Sequence, residues 1–449
     1  MIPAAHATLF RKRTAAILVA ASLAGCGGSG SPQPLASIVL VTIDTLRADH
    51  LGCYGYFRDT SPRLDAFARE AILFENAIAP MATTLPSHVS LMTATYPLRH
   101  GVQNNHQTIS PEAPLRSLPA ILGDLGYETA AFVSAIPVKR HTGIAAGFDV
   151  FDEPAEIERR AEDTNARVLE WIASRESGPF FLWIHYFDPH FRYDPPAPFD
   201  SVFATDGALL EWLEEKRVPR RKMERAPENH NGYDGEILYL DGRLGELFDE
   251  IKRRGIWDGA AVAVVGDHGE GLGQHDYRDH GHIYNEQLFV PMIVKLPSGK
   301  GPVGARSRRV ASLVDLVPTL AAALDLPLRE EDRSQFDGID LLDERIEREF
   351  VLAERTFPPR QVWEPGKKWA LVSECWKYIH LTERPAELYD LAADRNETVN
   401  VIHREPEVAE RMRNRVLELL EEAERVGAPA PGMPPPEAVE GLRALGYVD

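Results

Sequence analysis

Ser37-Ile-Val-Leu-Val-Thr-Ile-Asp44 and Ala261-Val-Ala-Val-Val-Gly-Asp267-His268 are two short apolar runs, each ending in an aspartate. Neither alternates with polar residues, which is the pattern of a strand buried on both faces of a parallel sheet. In open α/β sheets, ligands bind beyond the carboxyl ends of the strands. Asp44 and Asp267 are therefore expected at one edge, although more than two hundred residues of chain separate them. Two carboxylates and the His268 imidazole converging there predict a divalent-metal site. The liganding atoms of Asp44, Asp267, His268 and Thr84 should meet within about 5 Å of a common point, given first-shell bonds near 2 Å. The plainer alternative makes each Asp a solvated loop acid after a strand.

The chain between them reads Thr83-Thr84-Leu85-Pro86-Ser87-His88-Val89-Ser90-Leu91-Met92-Thr93. Pro86 suits the first turn of a helix, where its missing N–H would be unpaired anyway. Thr84 then sits at a helix N-terminus, where free amides and the dipole favour an anion. A hydroxyl there, beside a cation, could lose its proton and attack phosphorus or sulfur. Alternatively Thr83 or Thr84 is simply an N-cap. This segment alone leaves both readings open.

A longer series of segments carries more. IDTLRADHLGCYGY is followed by SPRLDAFAREAILFENAIAP, TLPSHVSLMTATYPLRHGVQNN and LGYETAAFVSA. Then come PFFLWIHYFDPHFRYDPP, YDGEILYLDGRLGELFDEI, GDHGEGLGQHDYRDHGHIYNEQLFVPMIV and finally WKYIHLTERPAELYDLAADRNETVNV. In content and order this resembles the sulfatase branch of the alkaline phosphatase superfamily over most of the chain after residue 36. The resemblance implies an alkaline-phosphatase-like, doubly wound and mostly parallel sheet with a small C-terminal antiparallel-sheet subdomain.

Three departures matter. Sulfatases mature a Cys or Ser in a C/S-x-P-x-R motif, followed by Thr-Gly, into formylglycine. Here Thr84 stands at the nucleophile position, His88 at the Arg and Ala94 at the Gly. Oxidising threonine at Cβ would give a ketone, not the aldehyde whose hydrate that cycle needs. T-x-P-x-H instead resembles the nucleotide pyrophosphatase/phosphodiesterase branch. Lipid-headgroup phosphotransferases of the superfamily also use a metal-bound threonine.

Position by position, the resemblance implies Asp44, Thr84, Asp267 and His268 as metal ligands. One nitrogen among oxygen ligands favours zinc or manganese over calcium. One ion is expected, and His185, Asp188, His190, His275, His280 and His282 are candidates for part of a second site. His190 and His280 take catalytic positions, His280 lying where the family has a lysine, thirteen residues after Asp267. Asn105 and His88 are assigned to substrate binding, and His275 and His282 stay undecided. Arg47, Tyr233, Asp234, Glu236 and Asp241 are read as holding loops and helices together.

The start of the chain suggests export. Arg11, Lys12 and Arg13 precede an apolar stretch too short to span a membrane. Leu23-Ala24-Gly25-Cys26 resembles a bacterial lipobox, implying a leader over 1–25, lipidation of Cys26 and a Gly/Ser/Pro-rich tether over 26–36. A lipid-anchored place in the cell envelope follows, with the outer membrane favoured because Gly27 replaces the retention aspartate. A plain signal peptide is the alternative. Loss of the three basic residues takes the formal charge from −19 to −22, a poor surface for nucleic acid. An anionic ester must then be drawn by local charge.

Residues 37–325 are expected to form the catalytic domain, with helices near Pro62–Ala71, Leu115–Leu125, Ala155–Arg175 and Gly235–Arg254. Asp200–His230 breaks that rhythm and reads as an insertion near the pocket mouth. Residues 345–402 form the smaller subdomain, with strands Phe350–Ala353, Trp369–Ser373 and Trp376–Leu381. Over 403–449, helix Glu405–Val426 precedes a Pro-rich linker and a final helix over 436–446. Cys53 and Cys375 are expected to be small buried hydrophobes without a disulfide. Three functions stay open: a Thr84-dependent phosphate-ester or phosphodiester hydrolase, a sulfuric ester hydrolase without formylglycine, or a phospho-headgroup transferase.

Overall fold

The computed structural model describes residues 35–355 and 366–445. The leader, Cys26 and nearly all of the tether fall outside the described residues. Among those described, no helix is long and apolar enough to cross a membrane.

Eight strands form the main sheet: β1 (Ser37–Ile43), β2 (Ile72–Ile78), β3 (Glu128–Phe132), β4 (Val150–Asp152), β5 (Phe180–Tyr186), β6 (Ala260–Gly266), β7 (Met292–Lys295) and β8 (Ala305–Ser312). Their order is β4-β3-β5-β1-β6-β7-β2-β8. Only β7 runs antiparallel to its neighbours. The apolar runs that open the reading are the two central strands, paired in parallel with Ile43 opposite Gly266. That register places Asp44 and Asp267 side by side where both strands end.

Each face of the sheet has its own core. Ile38, Leu40, Trp183, Ala261 and Ala263 pack with helices Thr84–Thr93 and Leu316–Ala323. Val39, Val41, Leu182, Val262 and Val264 pack with Pro62–Ala68, Ala161–Ser174 and Ala226–Arg253. Because side chains alternate between two covered faces, no position in these strands can be polar without a partner, hence the unbroken apolar runs.

A second sheet holds β9 (Val351–Arg355), β10 (Lys368–Val372), β11 (Trp376–Leu381) and β12 (Glu387–Asp390), all antiparallel, in the order β12-β11-β10-β9. One face joins the main core through Ala353, Ala370 and Ile379. The other carries Leu352, Trp369, Tyr378 and Leu388 against Ala409, Met412 and Val416 of helix Pro406–Val426. The closing helix, Pro436–Ala444, buries Leu442.

Several expectations need correction. The helix expected from Gly235 begins at Ala226 and runs unbroken to Arg253. Its first turns belonged to the stretch read as irregular, because Gly232 and Gly235 mask the helical pattern. Gly235 is needed there: an added Cβ would meet Phe199 O at 2.7 Å. The helix expected from Ala155 starts only at Ala161. The stretch 200–230 is ordered, with helix Gly207–Glu215, and its Lys222 pairs with Asp276 at 3.4 Å, so it leans on the loop after β6. Strand β12 has too few residues to register as a periodic pattern. Cys375 is exposed in the turn between β10 and β11, and Cys53 is only half-buried.

Candidate active site

Asp44, Asp267 and His268 offer ligand atoms that all lie within 4.8 Å of one another, and all three side chains are buried. The backbone arranges this. Asp267 Oδ1 accepts N–H bonds from Thr45 (3.1 Å) and His268 (2.7 Å), which aims Oδ2 into the site. His268 Nδ1 lies 2.9 Å from Gly269 O, so Nδ1–H donates and Nε2 presents its lone pair inward. Asp44 Oδ1 and Oδ2 and Asp267 Oδ2 are buried with no hydrogen-bond partner. Buried carboxylate oxygens are rarely left so. Burial and the charge of Asp44 push the Asp267 carboxyl well above its ordinary range. Burial would do the same to Asp44, but His185, His190 and His268 around it pull it below the usual carboxylate range instead. Three orphaned oxygens and one aimed imidazole nitrogen are a donor set that fits a divalent cation.

Thr84 opens helix Thr84–Thr93, and neither it nor Thr83 makes a side-chain cap bond. Thr83 holds the N-cap position without a side-chain cap bond, and Thr84 lies one residue inside the helix. Its Oγ1 points across the sheet edge, 3.4 Å from His268 Nε2 and 3.5 Å from Asn105 Nδ2. Asn105 is itself held by its Oδ1, which accepts the Leu85 N–H at 2.8 Å. Hydroxyl, amide and imidazole thus meet beside the two carboxylates.

His280 and His190 form the opposite wall. The His280 ring lies 4.6 Å from that of His268 and 5.3 Å from that of His190. Burial lowers the pKa of His280, but Glu270, whose Oε1 is 3.5 Å from Nδ1, outweighs it and raises the pKa above the ordinary imidazole value. His190 stacks on Phe187 at 4.2 Å and donates Nδ1–H to Phe191 O at 2.6 Å.

His88 does not face substrate. Trp183 Nε1–H donates to Thr42 Oγ1 (3.0 Å), whose hydroxyl lies 2.9 Å from His88 Nε2, and His88 Nδ1 lies 2.8 Å from Thr84 O. With Nε2 accepting and Nδ1–H donating, both nitrogens are occupied beneath the helix. The substrate-binding expectation is corrected: His88 fixes the turn that presents Thr84. Burial holds its pKa down to about 3, so the ring is neutral.

His185, a candidate for a second site, stands instead against Asp44. Its Nδ1 accepts the Ser134 N–H at 3.3 Å, so Nε2 carries the proton, 3.5 Å from Asp44 Oδ2. An imidazole near the carboxyl end of the buried run Phe180–Tyr186 was the available signal. Glu270, which raises the pKa of His280, had none beyond its closeness to Asp267. The residues read as structural are so placed: Asp241 accepts from Arg63 N and Leu64 N, Tyr233 bonds Thr45 and Arg47, and Asp234 joins His50, Tyr56 and Arg58.

A doubly wound sheet with paired acids at the carboxyl edge of its central strands and a hydroxyl facing them defines an ester hydrolase of the alkaline phosphatase-like class. The sulfatase family profile matches residues 36–326, and the chain belongs to that family. It is 25% identical to an arylsulfatase of Clostridium perfringens, over 82% of this chain and 90% of that one. Among solved structures it resembles a sulfatase-family protein of Bacteroides fragilis (TM-score 0.76, 19% identity, 88% and 98% covered). It also resembles the phosphonate monoester hydrolase of Agrobacterium radiobacter (TM-score 0.72, 20% identity, 86% and 96% covered). The chain is an enzyme acting on sulfuric or phosphoric esters, in a family that depends on a divalent metal.

Proposed function

We propose that this chain hydrolyses phosphoric esters, mono- or diesters, with Thr84 as nucleophile. The observation that carries the reading is the Thr84 hydroxyl, turned from the helix amides toward His268 and Asn105. All three positions that direct formylglycine formation have changed as well. Asp44, Asp267, His268 and Thr84 would hold one divalent ion, and the His268 nitrogen favours zinc or manganese over calcium. Such an ion would screen the paired carboxylates and favour the ionised Thr84 oxygen.

The residues divide the work. Thr84 Oγ1 loses its proton to solvent and attacks phosphorus, forming a Thr84 O–P bond as the alcohol oxygen leaves. His280, whose pKa Glu270 raises, gives that oxygen a proton and recovers one from the water that cleaves the Thr84 ester. Asn105 Nδ2–H and His190 are placed to stabilise the transferred group's oxygens. An acceptor alcohol in place of that water would make the same site a phospho-headgroup transferase. Sulfuric esters remain the second reading because the similar Clostridium protein is named an arylsulfatase. The proposal extends to a lipid anchor at Cys26 in the bacterial envelope.

The test is turnover of aryl phosphate mono- and diesters against the matching aryl sulfates, with peptide mass analysis at residue 84. Faster phosphate turnover and an unmodified threonine are expected. A clear preference for sulfate esters would reverse the ranking.

A further inference from the structure

Thr45, directly after the ligand candidate Asp44, has a backbone φ of 55°. That is left-handed space, where a β-branched residue is an outlier. Such conformations persist only where the surroundings over-determine them, and they cluster at functional sites. The Thr45 side chain does not hold it there, since its buried hydroxyl has no hydrogen-bond partner. The hold comes through the backbone.

Tyr233, on the long helix Ala226–Arg253, is buried, and its hydroxyl donates to Thr45 O at 2.7 Å. The same oxygen accepts the Arg47 N–H at 2.9 Å, so one hydroxyl closes the turn Thr45-Leu46-Arg47. His50 and Tyr193 meet the Tyr233 ring at near right angles, with centroids 4.9 Å and 5.6 Å away. The turn also presses on β6, where a Cβ added at Gly266 would meet Leu46 O at 2.6 Å. So held, Thr45 turns its N–H to Asp267 Oδ1, 3.1 Å away. That bond and the one from His268 N–H leave Asp267 Oδ2 to the cation site, 3.5 Å from His268 Nε2.

We infer that Tyr233 is a positioning residue for the cation site: its hydroxyl holds Thr45 in the left-handed conformation from which the Thr45 N–H orients Asp267. The inference rests on the reading of Asp44, Asp267 and His268 as cation ligands. Without the hydroxyl, Thr45 relaxes toward ordinary backbone space and Asp267 Oδ1 keeps only the His268 N–H. A glycine at 45 has no such tendency, because left-handed space is open to it. The hydroxyl therefore matters for a threonine and not for a glycine.

Zinc and manganese are titrated in turn into the chelator-stripped full chain, with affinity read by calorimetry. Tyr233→Phe keeps the ring and should weaken binding by about tenfold or more, the usual effect of losing a group that orients a metal ligand. Thr45→Gly should stay within about threefold of wild type, and adding it to Tyr233→Phe should restore the lost affinity. Tyr54 makes a like pair of bonds between β2 and β7, donating to Phe74 O at 3.1 Å and accepting the Met292 N–H at 2.9 Å. Tyr54→Phe should leave cation affinity unchanged. Full affinity in Tyr233→Phe overturns the inference, as does a loss that Thr45→Gly fails to repair or that Tyr54→Phe reproduces. If Tyr233→Phe does not fold, adding Thr45→Gly should restore both folding and affinity. A double variant that stays unfolded, or binds about tenfold more weakly than wild type, overturns the inference. Wild type that binds neither ion, or binds as well after Asp267→Asn, brings down the cation site and this inference with it.

Discussion

Two buried polar clusters flank the loop after β6, and they are built on opposite rules. Asp44, Asp267 and His268 leave three carboxylate oxygens without a hydrogen bond. On the far side, Lys377 of β11 pairs with Glu397 at 2.7 Å and bonds Asn285 Oδ1 at 2.9 Å. Glu397 accepts the Asn285 N–H at 2.6 Å, and His275 joins Glu286 at 3.0 Å and Glu397 O at 3.1 Å. Both clusters are desolvated, so both pay the burial cost of charge. Only the second meets it with charged partners inside the protein, although burial still lowers the pKa of Lys377 and raises that of Glu397. Unsatisfied polarity marks the site proposed above for a cation and a substrate. The satisfied cluster is what ties the small sheet to the catalytic loop.

The contrast is broken most directly at Thr84. Thr84→Ala should lower turnover by about a thousandfold or more, with melting temperature little changed, because it removes the attacking oxygen rather than a packing contact. Thr84→Ser should keep measurable activity. Near-wild-type rates from Thr84→Ala would move the nucleophile elsewhere.

Lys377→Met should do the reverse. It leaves Glu397 buried without its partner and should cost about 3–5 kcal/mol of stability in chemical denaturation. Turnover per folded molecule, measured well below the melting temperature, should hold. Unchanged stability would show the pair to be redundant.

The His275–Glu286 pair carries a pH signature. Burial lowers the pKa of His275, but Glu286 and Glu397 overcome it and raise it to about 9. A raised folded-state pKa gives stability that is fully present below the unfolded value, near 6.5, and lost as pH climbs toward 9. The loss should be about 3 kcal/mol in wild type and absent in His275→Gln. A wild-type melting curve flat across that window would remove the imidazolium.

Metal removal should change stability less than loss of either buried pair. With the ion at about a hundred times its Kd, chelation should cost about 2.7 kcal/mol. Asp267→Asn should be largely insensitive to chelator. Equal chelator sensitivity in both proteins would place the ion outside the Asp44–Asp267–His268 triad.

Much of this was legible in the sequence because the two central strands are local, short and apolar throughout. Burial on both faces forces that composition, and parallel pairing forces both terminal acids to one edge. The three ligand candidates, Thr84, Asn105, His190 and His280 could be named from residue type and family pattern. What Thr84 and His88 do with their polar atoms could not be read that way. Thr83–Thr84–Pro86 suits an N-cap as well as a nucleophile, and only the direction of the hydroxyl separates them. His88 looks like a substrate ligand until Thr42 and Trp183, from two different strands, are seen to hold its ring. His185, Glu270 and Lys377 acquire meaning only from partners distant in sequence. Sequence by itself determined the sheet and the chemistry available at its edge, since periodicity and residue type are local properties. Tertiary structure alone decided which buried polar atoms are satisfied and which are left for ligands, because satisfaction depends on groups that the chain brings together only on folding.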